Sequence, residues 1–176
     1  MDSEVEKFAR FLEEYANFLK SGKKIIDIPL TPEELLEEAS RVRALSRIKR
    51  EGNLIVIYLS EGEAEHWAHF EGEIIMLFDK LYRPLKVEIE VKDTMDSEKV
   101  LSNINSGKLS GVSFTYNGVF ITIILANGEA EHWAHFEGEI IMSLDKIFKP
   151  LKVEIEVKDT MDSEKVLENA GLLSSR

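Results

Sequence analysis

The chain has 176 residues, no cysteine and a formal net charge of −11. A chain of this length folds without a covalent staple, and the lack of cysteine excludes disulfide frameworks, thiolate metal sites and cysteine nucleophiles. Residues 1–50 carry ten acidic and ten basic side chains, so the whole negative excess lies in residues 51–176. Because such a surface repels phosphate backbones, we expect this region not to bind nucleic acid.

Composition also bears on the source and the compartment. The sequence lacks glutamine and is rich in Glu, Lys and Ile, a pattern typical of hyperthermophile proteins, so we predict a thermophilic, archaeal source. The first ten residues are acidic and amphipathic, unlike a secretory signal, and no apolar run reaches about 18 residues. We therefore predict a cytoplasmic protein that does not associate with a membrane.

Residues 1–45 show the periodicity of two helices, because apolar residues recur at spacings of three and four. The two apolar stripes are Val5, Phe8, Leu12, Tyr15 and Leu19, and Leu35, Leu36, Ala39, Val42 and Leu45. Before the second stripe, Thr31 can cap a helix, Pro32 can occupy its first turn and Glu34 can complete a capping box. The sequence thus predicts a helical hairpin over residues 1–45.

The rest of the chain is a tandem repeat with an offset of 66 residues. Positions 62–101 and 128–167 differ at five of forty places. The differing pairs are Leu77/Ser143, Phe78/Leu144, Leu81/Ile147, Tyr82/Phe148 and Arg83/Lys149. Upstream, the copies match at every second position between Ile55 and Leu59, which marks one face of a strand. We therefore place the first β repeat at residues 46–111 and the second at 112–176.

Each repeat is predicted to contain about five antiparallel strands and a helical tail. In the second copy, Asn117-Gly118 between two β-rich runs is typical of a hairpin turn. We interpret Glu137-Gly138 as a break between two strands. In the final strand LKVEIEVKD, strict alternation predicts that Val153 and Ile155 are buried, like Val87 and Ile89 in the first copy. The intervening glutamates are predicted to be exposed.

These elements predict an α+β fold. A lone small sheet would leave one apolar face in water, which is unstable. We therefore expect the N-terminal helical hairpin to be followed by two repeated antiparallel β units, packed as an intramolecular pseudo-twofold β-sandwich. The Leu77/Ser143 difference supports this orientation, because a position that accepts serine is expected to face outwards.

The order of the elements resembles a small uncharacterised prokaryotic family, domain of unknown function 2283. The resemblance rests on residues 54–62, 71–72, 74–79 and 85–89, and on the same elements between residues 120 and 155. The chain departs from the family at Lys86 and Lys152, where the family favours glycine, and at His66 to His69, which replace a plain acidic run. The resemblance implies a compact β domain that self-associates and no established reaction. Some members look like partners in toxin–antitoxin pairs.

The segment EHWAHFEGE, present in both copies, contains all four histidines and both tryptophans. Imidazole and carboxylate groups are ligands for Zn, Fe or Mn. The candidate metal ligands are Glu65, His69, Glu131 and His135, which would have to meet across the pseudo-twofold axis. The alternative is an exposed sheet face on which His and Glu side chains pair across strands. We favour this alternative and predict no metal and no cofactor.

Trp67 and Trp133 fall on the same polar face as these side chains, so the core does not account for them. Exposed aromatic side chains are enriched at protein interfaces. We therefore assign Trp67, His69, Trp133 and His135 to a candidate interaction surface. The alternative is that the helical hairpin covers the tryptophans. Because one hairpin cannot cover two equivalent faces, we expect the two tryptophans to differ in exposure.

A basic cluster lies at the end of the second predicted helix, and its members are Arg41, Arg43, Arg47, Lys49 and Arg50. Such a cluster is a candidate nucleic-acid contact. The alternative is favourable charge at a helix C-terminus together with pairing to the acidic sheets, and we favour it.

The function predicted from these patterns is a non-enzymatic protein-interaction or regulatory module with an unknown protein partner, and self-association into a homo-oligomer is also open. One alternative is a toxin–antitoxin-like partner protein that contacts DNA through the basic cluster. Another is a small metal-dependent enzyme that uses the Glu and His face.

Overall fold

The computed structural model describes residues 3–21, 30–109 and 111–174. The helices of this part are α1 (Ser3–Lys20), α2 (Pro32–Leu45), α3 (Glu98–Ser102) and α4 (Glu164–Asn169). Its strands are β1 (Ile48–Glu51), β2 (Leu54–Tyr58), β3 (His66–Phe78), β4 (Pro84–Asp93), β5 (Gly107–Leu109), β6 (Val112–Tyr116), β7 (Phe120–Ile124), β8 (His132–Leu144) and β9 (Pro150–Asp159). The strands form one curled antiparallel sheet in the order β1-β2-β9-β8-β3-β4-β7-β6-β5. The predicted α+β class is confirmed.

The two repeats meet edge to edge in the middle of this sheet. β3 pairs with β8 along its whole length, from His66 opposite Leu144 to Phe78 opposite His132. The copies also exchange partners, because β2 of the first copy pairs with β9 of the second, and β7 of the second pairs with β4 of the first. The predicted β-sandwich is therefore not confirmed, since hydrogen bonds join the strands of both copies into one sheet.

The predicted strand break at Glu137-Gly138 is wrong. β8 runs through this pair, as β3 runs through Glu71-Gly72. A Cβ on Gly72 would lie 2.6 Å from the carbonyl oxygen of Glu90, and one on Gly138 2.7 Å from that of Glu156. A register shift at each glycine accompanies this close approach, which is a known use of glycine inside a strand. In the described ranges, the first copy contains five strands, β1 to β5, and the second contains four, β6 to β9.

The core lies on one face of the curled sheet. Val87, Ile89, Val153 and Ile155 are fully buried, as predicted. Leucines of α3 and α4 join the same core, so the short helices cover the inner face. The glutamates that alternate with these residues point away from the core but are only half-exposed, because β4 and β9 have paired strands on both sides.

The helical hairpin has a small core of its own, made by Ala9, Leu12, Ala16, Leu35, Ala39 and Val42. The predicted capping box is present: the Thr31 hydroxyl accepts from the Glu34 N–H at 3.1 Å, and the Glu34 carboxylate accepts from the Thr31 N–H at 3.1 Å. Phe8, placed in the buried stripe by the sequence, is exposed instead. None of the helices in the described ranges is long and apolar enough to cross a bilayer.

Polar contacts tie α2 to the sheet. The Arg41 Nε donates to the carbonyl oxygen of Asn127 at 2.8 Å. The Glu38 carboxylate accepts from both terminal nitrogens of Arg83, one of them at 3.2 Å. These contacts hold α2 at the end of the sheet where β4 begins and β7 ends.

Candidate interaction surface

β3 and β8 present one face to the outside of the curled sheet, because their side chains alternate between the core and the opposite side. The outward residues are Trp67, His69, Glu71, Glu73, Ile75 and Leu77 of β3, and Trp133, His135, Glu137, Glu139, Ile141 and Ser143 of β8. We call this set the outer face. It contains the four residues of the predicted interaction surface.

Both tryptophans are exposed, Trp67 to 56% and Trp133 to 57%. The expectation of unequal exposure is wrong, and so is the interpretation that the helical hairpin covers them. The reason is that α2 packs against β1 and β4, and the described helices leave the tryptophans of β3 and β8 uncovered. Trp67 lies opposite Ser143, and Trp133 opposite Leu77. Ser143 faces outwards as predicted, although it is buried.

The histidines next to the tryptophans pair with glutamates of the other copy. The His69 Nε2 lies 3.4 Å from the Glu139 carboxylate, and the His135 Nε2 lies 3.2 Å from the Glu73 carboxylate. This matches the predicted cross-strand pairing of His and Glu. The imidazoles are therefore held in place by the opposite strand, beside the exposed indole rings.

Two serines fix the backbone at the same positions. The Ser97 hydroxyl accepts from the His69 N–H at 2.9 Å and donates to the His69 carbonyl at 3.0 Å. Ser163 makes the same two contacts with His135, at 2.8 and 3.0 Å. At this point β3 and β8 have run beyond β4 and β9, so the serine hydroxyls satisfy the main-chain groups that lack a strand partner.

The other two histidines have a packing role. His66 stacks on Phe148 with ring centroids 4.0 Å apart, and His132 stacks on Tyr82 at 3.9 Å. Each ring pair joins residues of different copies. These contacts account for His66 and His132 without a ligand.

The middle of the outer face is a band of glutamates around a shallow groove of about 250 Å³. The band consists of Glu71, Glu73, Glu137 and Glu139, with Lys92 and Lys158 at the sides of the groove. The Glu90 carboxylate, 2.6 Å from the Lys92 ammonium, raises the pKa of Lys92, and Glu156 does the same for Lys158. The centre of the surface is thus acidic and lies between the two tryptophans.

The metal hypothesis gains no support from this geometry. Glu65 and Glu131 precede the strands, and each uses its N–H in a backbone hydrogen bond. His69 faces Ile141, six residues from His135 along β8, so the two imidazoles lie roughly 20 Å apart. Within residues 3–21, 30–109 and 111–174, no three His, Asp or Glu side chains are grouped so that they could hold a metal ion.

Three arginines of the basic cluster make contacts within the fold, and two of them pair with glutamates of α1 and α2, whereas pairing with the acidic sheets was predicted. Arg41 contacts Asn127, Glu37 and Glu38, and Arg43 pairs with Glu6 and Glu13. Arg47 is 9% exposed and donates to the carbonyl oxygens of Tyr58 and Leu59 at 3.3 Å. Of the five, Arg50 is the one classed as exposed. The structure therefore spreads this cluster over several contacts and does not gather it into one basic patch.

Sequence reasoning missed a cavity of about 510 Å³ between the end of α2, the end of β2 and the segment before β9. Its lining includes Arg47, Lys49, Ser60, Glu61 and Lys149. The sequence contained one indication of this site, because parts of its lining differ between the two copies. Lys149 is among the five differences, and Ser60-Glu61 immediately precede the near-identical block.

No protein-family model, curated protein or solved structure matches the chain. The resemblance to domain of unknown function 2283 therefore stays a prediction.

Proposed function

We propose that the chain is a non-enzymatic protein-interaction or regulatory module that binds a protein partner through the outer face. The observation that carries the proposal is the pair of tryptophans, each more than half exposed and each held beside a histidine in the same local sequence. Tryptophan is enriched among residues that dominate binding energy at protein interfaces. The DNA-contacting and metal-dependent alternatives have no comparable supporting observation in the described residues.

The register of β3 and β8 supports a surface with two equivalent sites. Gly72 lies opposite Gly138, and each tryptophan lies five residues before the glycine of its own strand. We infer a pseudo-twofold axis that passes between the two glycines and relates the two copies. Trp67 faces Ser143, ten residues from Trp133 along β8, so the tryptophans are roughly 30 Å apart.

The charge between the two sites restricts the partner. A second copy that presented the same face would bring the glutamate bands together, and like charges across an interface are unfavourable. A surface with basic residues between two apolar patches would complement the outer face. The spacing and the inferred symmetry favour a twofold-symmetric partner, since a symmetric surface contacts both sites in the same way. We therefore propose a homodimeric protein with a basic patch at its axis.

The experiment is affinity capture from extract of the source organism with three forms of the chain, followed by lysine cross-linking. The forms are wild type, the double variant Trp67→Ala/Trp133→Ala and the control Leu81→Ala/Ile147→Ala. The control removes two apolar side chains at equivalent positions, 62% and 60% exposed, outside the outer face. We expect wild type and control to retain the same protein, and the double variant to lose it.

The captured protein must then be purified and tested directly. Cross-links are expected at Lys86, Lys92, Lys152 or Lys158, which flank the outer face, and the affinity of the double variant is expected to fall about tenfold or more. Equal binding by the double variant, or cross-links confined to α1 and α2, would reject the proposal.

A further inference from the structure

The cavity near the end of α2 has the size of a small-molecule site and an unusual charge. Its volume of about 510 Å³ lies within the range of roughly 300–1,000 Å³ found for ligand pockets. Arg47, Lys49 and Lys149 line it together with one carboxylate, that of Glu61. In a chain with a net charge of −11, this lining has an excess of positive charge. No outer-face residue lines the cavity, so it is a separate site.

The guanidinium of Arg47 is fixed at the wall of the cavity. Its two hydrogen bonds to the carbonyls of Tyr58 and Leu59 orient the group. Burial is the main reason why its pKa is lowered, yet an arginine remains a cation at neutral pH. Lys49 lies nearby, with its ammonium 6.0 Å from the centre of the Tyr58 ring. Arg47 and Lys49 therefore place two cations at the wall of the cavity.

The other copy shows what the position of Lys149 can bind. Lys149 corresponds to Arg83, which the sequence places 66 residues earlier. Both side chains contact the aspartate of their own turn, Arg83 at 2.7 Å from Asp79 and Lys149 at 3.9 Å from Asp145. Arg83 also binds the Glu38 carboxylate, which α2 delivers. A carboxylate therefore occupies the position next to Arg83.

α2 lies beside Arg83 of the first copy and cannot also lie in the equivalent place beside Lys149 of the second. It contacts the first copy's Arg83 and, through Arg41, the carbonyl of Asn127. The residues that correspond to these two are Lys149 and Glu61, and both line the cavity. The cavity is thus the counterpart of a place where the chain itself supplies a carboxylate.

We propose that the cavity binds a small organic carboxylate, whose carboxylate group contacts Lys149, while the Arg47 and Lys49 side chains add positive charge to the lining. Charge-assisted hydrogen bonds of this kind are among the stronger polar contacts in proteins. Such a ligand would make the chain a binder of a small acidic metabolite as well as of a protein.

The test is NMR titration of the full ¹⁵N-labelled chain with succinate, with inorganic phosphate and with sodium chloride at matched ionic strength. We expect succinate to shift the amides of residues 46–61 and 145–151 saturably, and chloride not to do so. Lys149→Ala is expected to weaken succinate binding about tenfold or more, whereas Lys149→Arg retains it because arginine performs this role at position 83. Lys146→Ala removes a neighbouring exposed lysine and is the matched control.

Several results would overturn the proposal. These are shifts that do not saturate, shifts that match those in chloride, shifts located at Lys92 and Lys158, and unchanged affinity in Lys149→Ala. Saturation by phosphate but not by succinate would overturn the assignment of a carboxylate. Thermal unfolding of each variant checks the fold, and Lys49→Ala, which is expected to weaken binding, provides a second test if Lys149→Ala unfolds.

Discussion

Gly72 of β3 lies directly opposite Gly138 of β8, and each glycine also lies against the backbone of a second neighbouring strand. A Cβ at either position would meet a carbonyl oxygen at 2.6 or 2.7 Å, a separation that requires the backbone to move. Neither of these two facing positions can therefore hold a residue larger than glycine unless the backbone moves.

We accordingly predict that Gly72→Ala and Gly138→Ala each lower the free energy of unfolding by about 1–3 kcal/mol, because the added methyl group overpacks the site. Glu71→Ala, one residue away on the outer face, is expected to change it by less than about 0.5 kcal/mol. Urea denaturation measures all three. An alanine at position 72 that leaves stability unchanged would contradict the close approach of β4.

Ile89 and Ile155 occupy equivalent core positions and are both fully buried. Replacement of either by alanine is expected to cost about 2–5 kcal/mol, from lost transfer free energy and the cavity left behind. Glu88→Ala is the control, because the Glu88 side chain lies on the opposite face. Thermal unfolding of Ile89→Ala or Ile155→Ala at the wild-type temperature would show that the inner face is wrongly assigned.

The equal exposure of Trp67 and Trp133 can be measured by fluorescence. Trp67→Phe and Trp133→Phe each leave one indole, and acrylamide is a neutral quencher. We expect the two variants to give the same quenching constant and red-shifted emission, because each indole is more than half exposed. A lower quenching constant in one variant at a concentration where the chain is monomeric would mean that part of the chain covers that indole.

The ion pair between Glu38 and Arg83 predicts a dependence of stability on pH. The hydrogen bond from Arg83 is the main reason why the pKa of Glu38 lies below its ordinary value of 4.5. A carboxyl with a lowered folded-state pKa stabilises the fold above its unfolded pKa, and this stabilisation is lost as the pH falls through the folded-state pKa. We therefore expect Glu38→Gln to cost about 1–2 kcal/mol at neutral pH, and less as the pH falls below 4.5.

Urea denaturation of wild type and Glu38→Gln between neutral pH and about pH 3 tests this linkage. Glu37→Gln is the control, since Glu37 is more exposed than Glu38 and pairs with Arg41 on its own helix. A cost of Glu38→Gln that stays constant across the range would show that ionisation of Glu38 does not stabilise the fold.

Local patterns in the sequence were reliable where neighbouring residues decide the structure. The capping box at Thr31, the turn at Asn117-Gly118 and the alternation around Ile155 are all present. The capping box and the turn depend on contacts within a few residues along the chain, and the alternation follows from the two-residue period of a strand. The same holds for the outward direction of Trp67 and Trp133, which follows from strand periodicity.

Long-range contacts account for the errors. Gly138 looked like a strand break because the approach of Glu156 from the next strand is invisible in the local sequence. For Arg43, ion pairing was favoured correctly, but its partners, Glu6 and Glu13, could not be named because they belong to another helix. The cavity at Lys149 was missed for the same reason, since its lining combines residues more than eighty positions apart.

The exchange of strands between the copies has a consequence for how the chain is made. Ile55 of β2 pairs with Ile155 of β9, about 100 residues later. At a synthesis rate of about 5–20 residues per second, the edge of β2 leaves the ribosome roughly 5–20 s before its partner exists. Each half of the sheet contains strands of both copies, so neither copy can form a complete half by itself. The nascent first copy therefore has to remain an unfinished structure until translation reaches the end of the second.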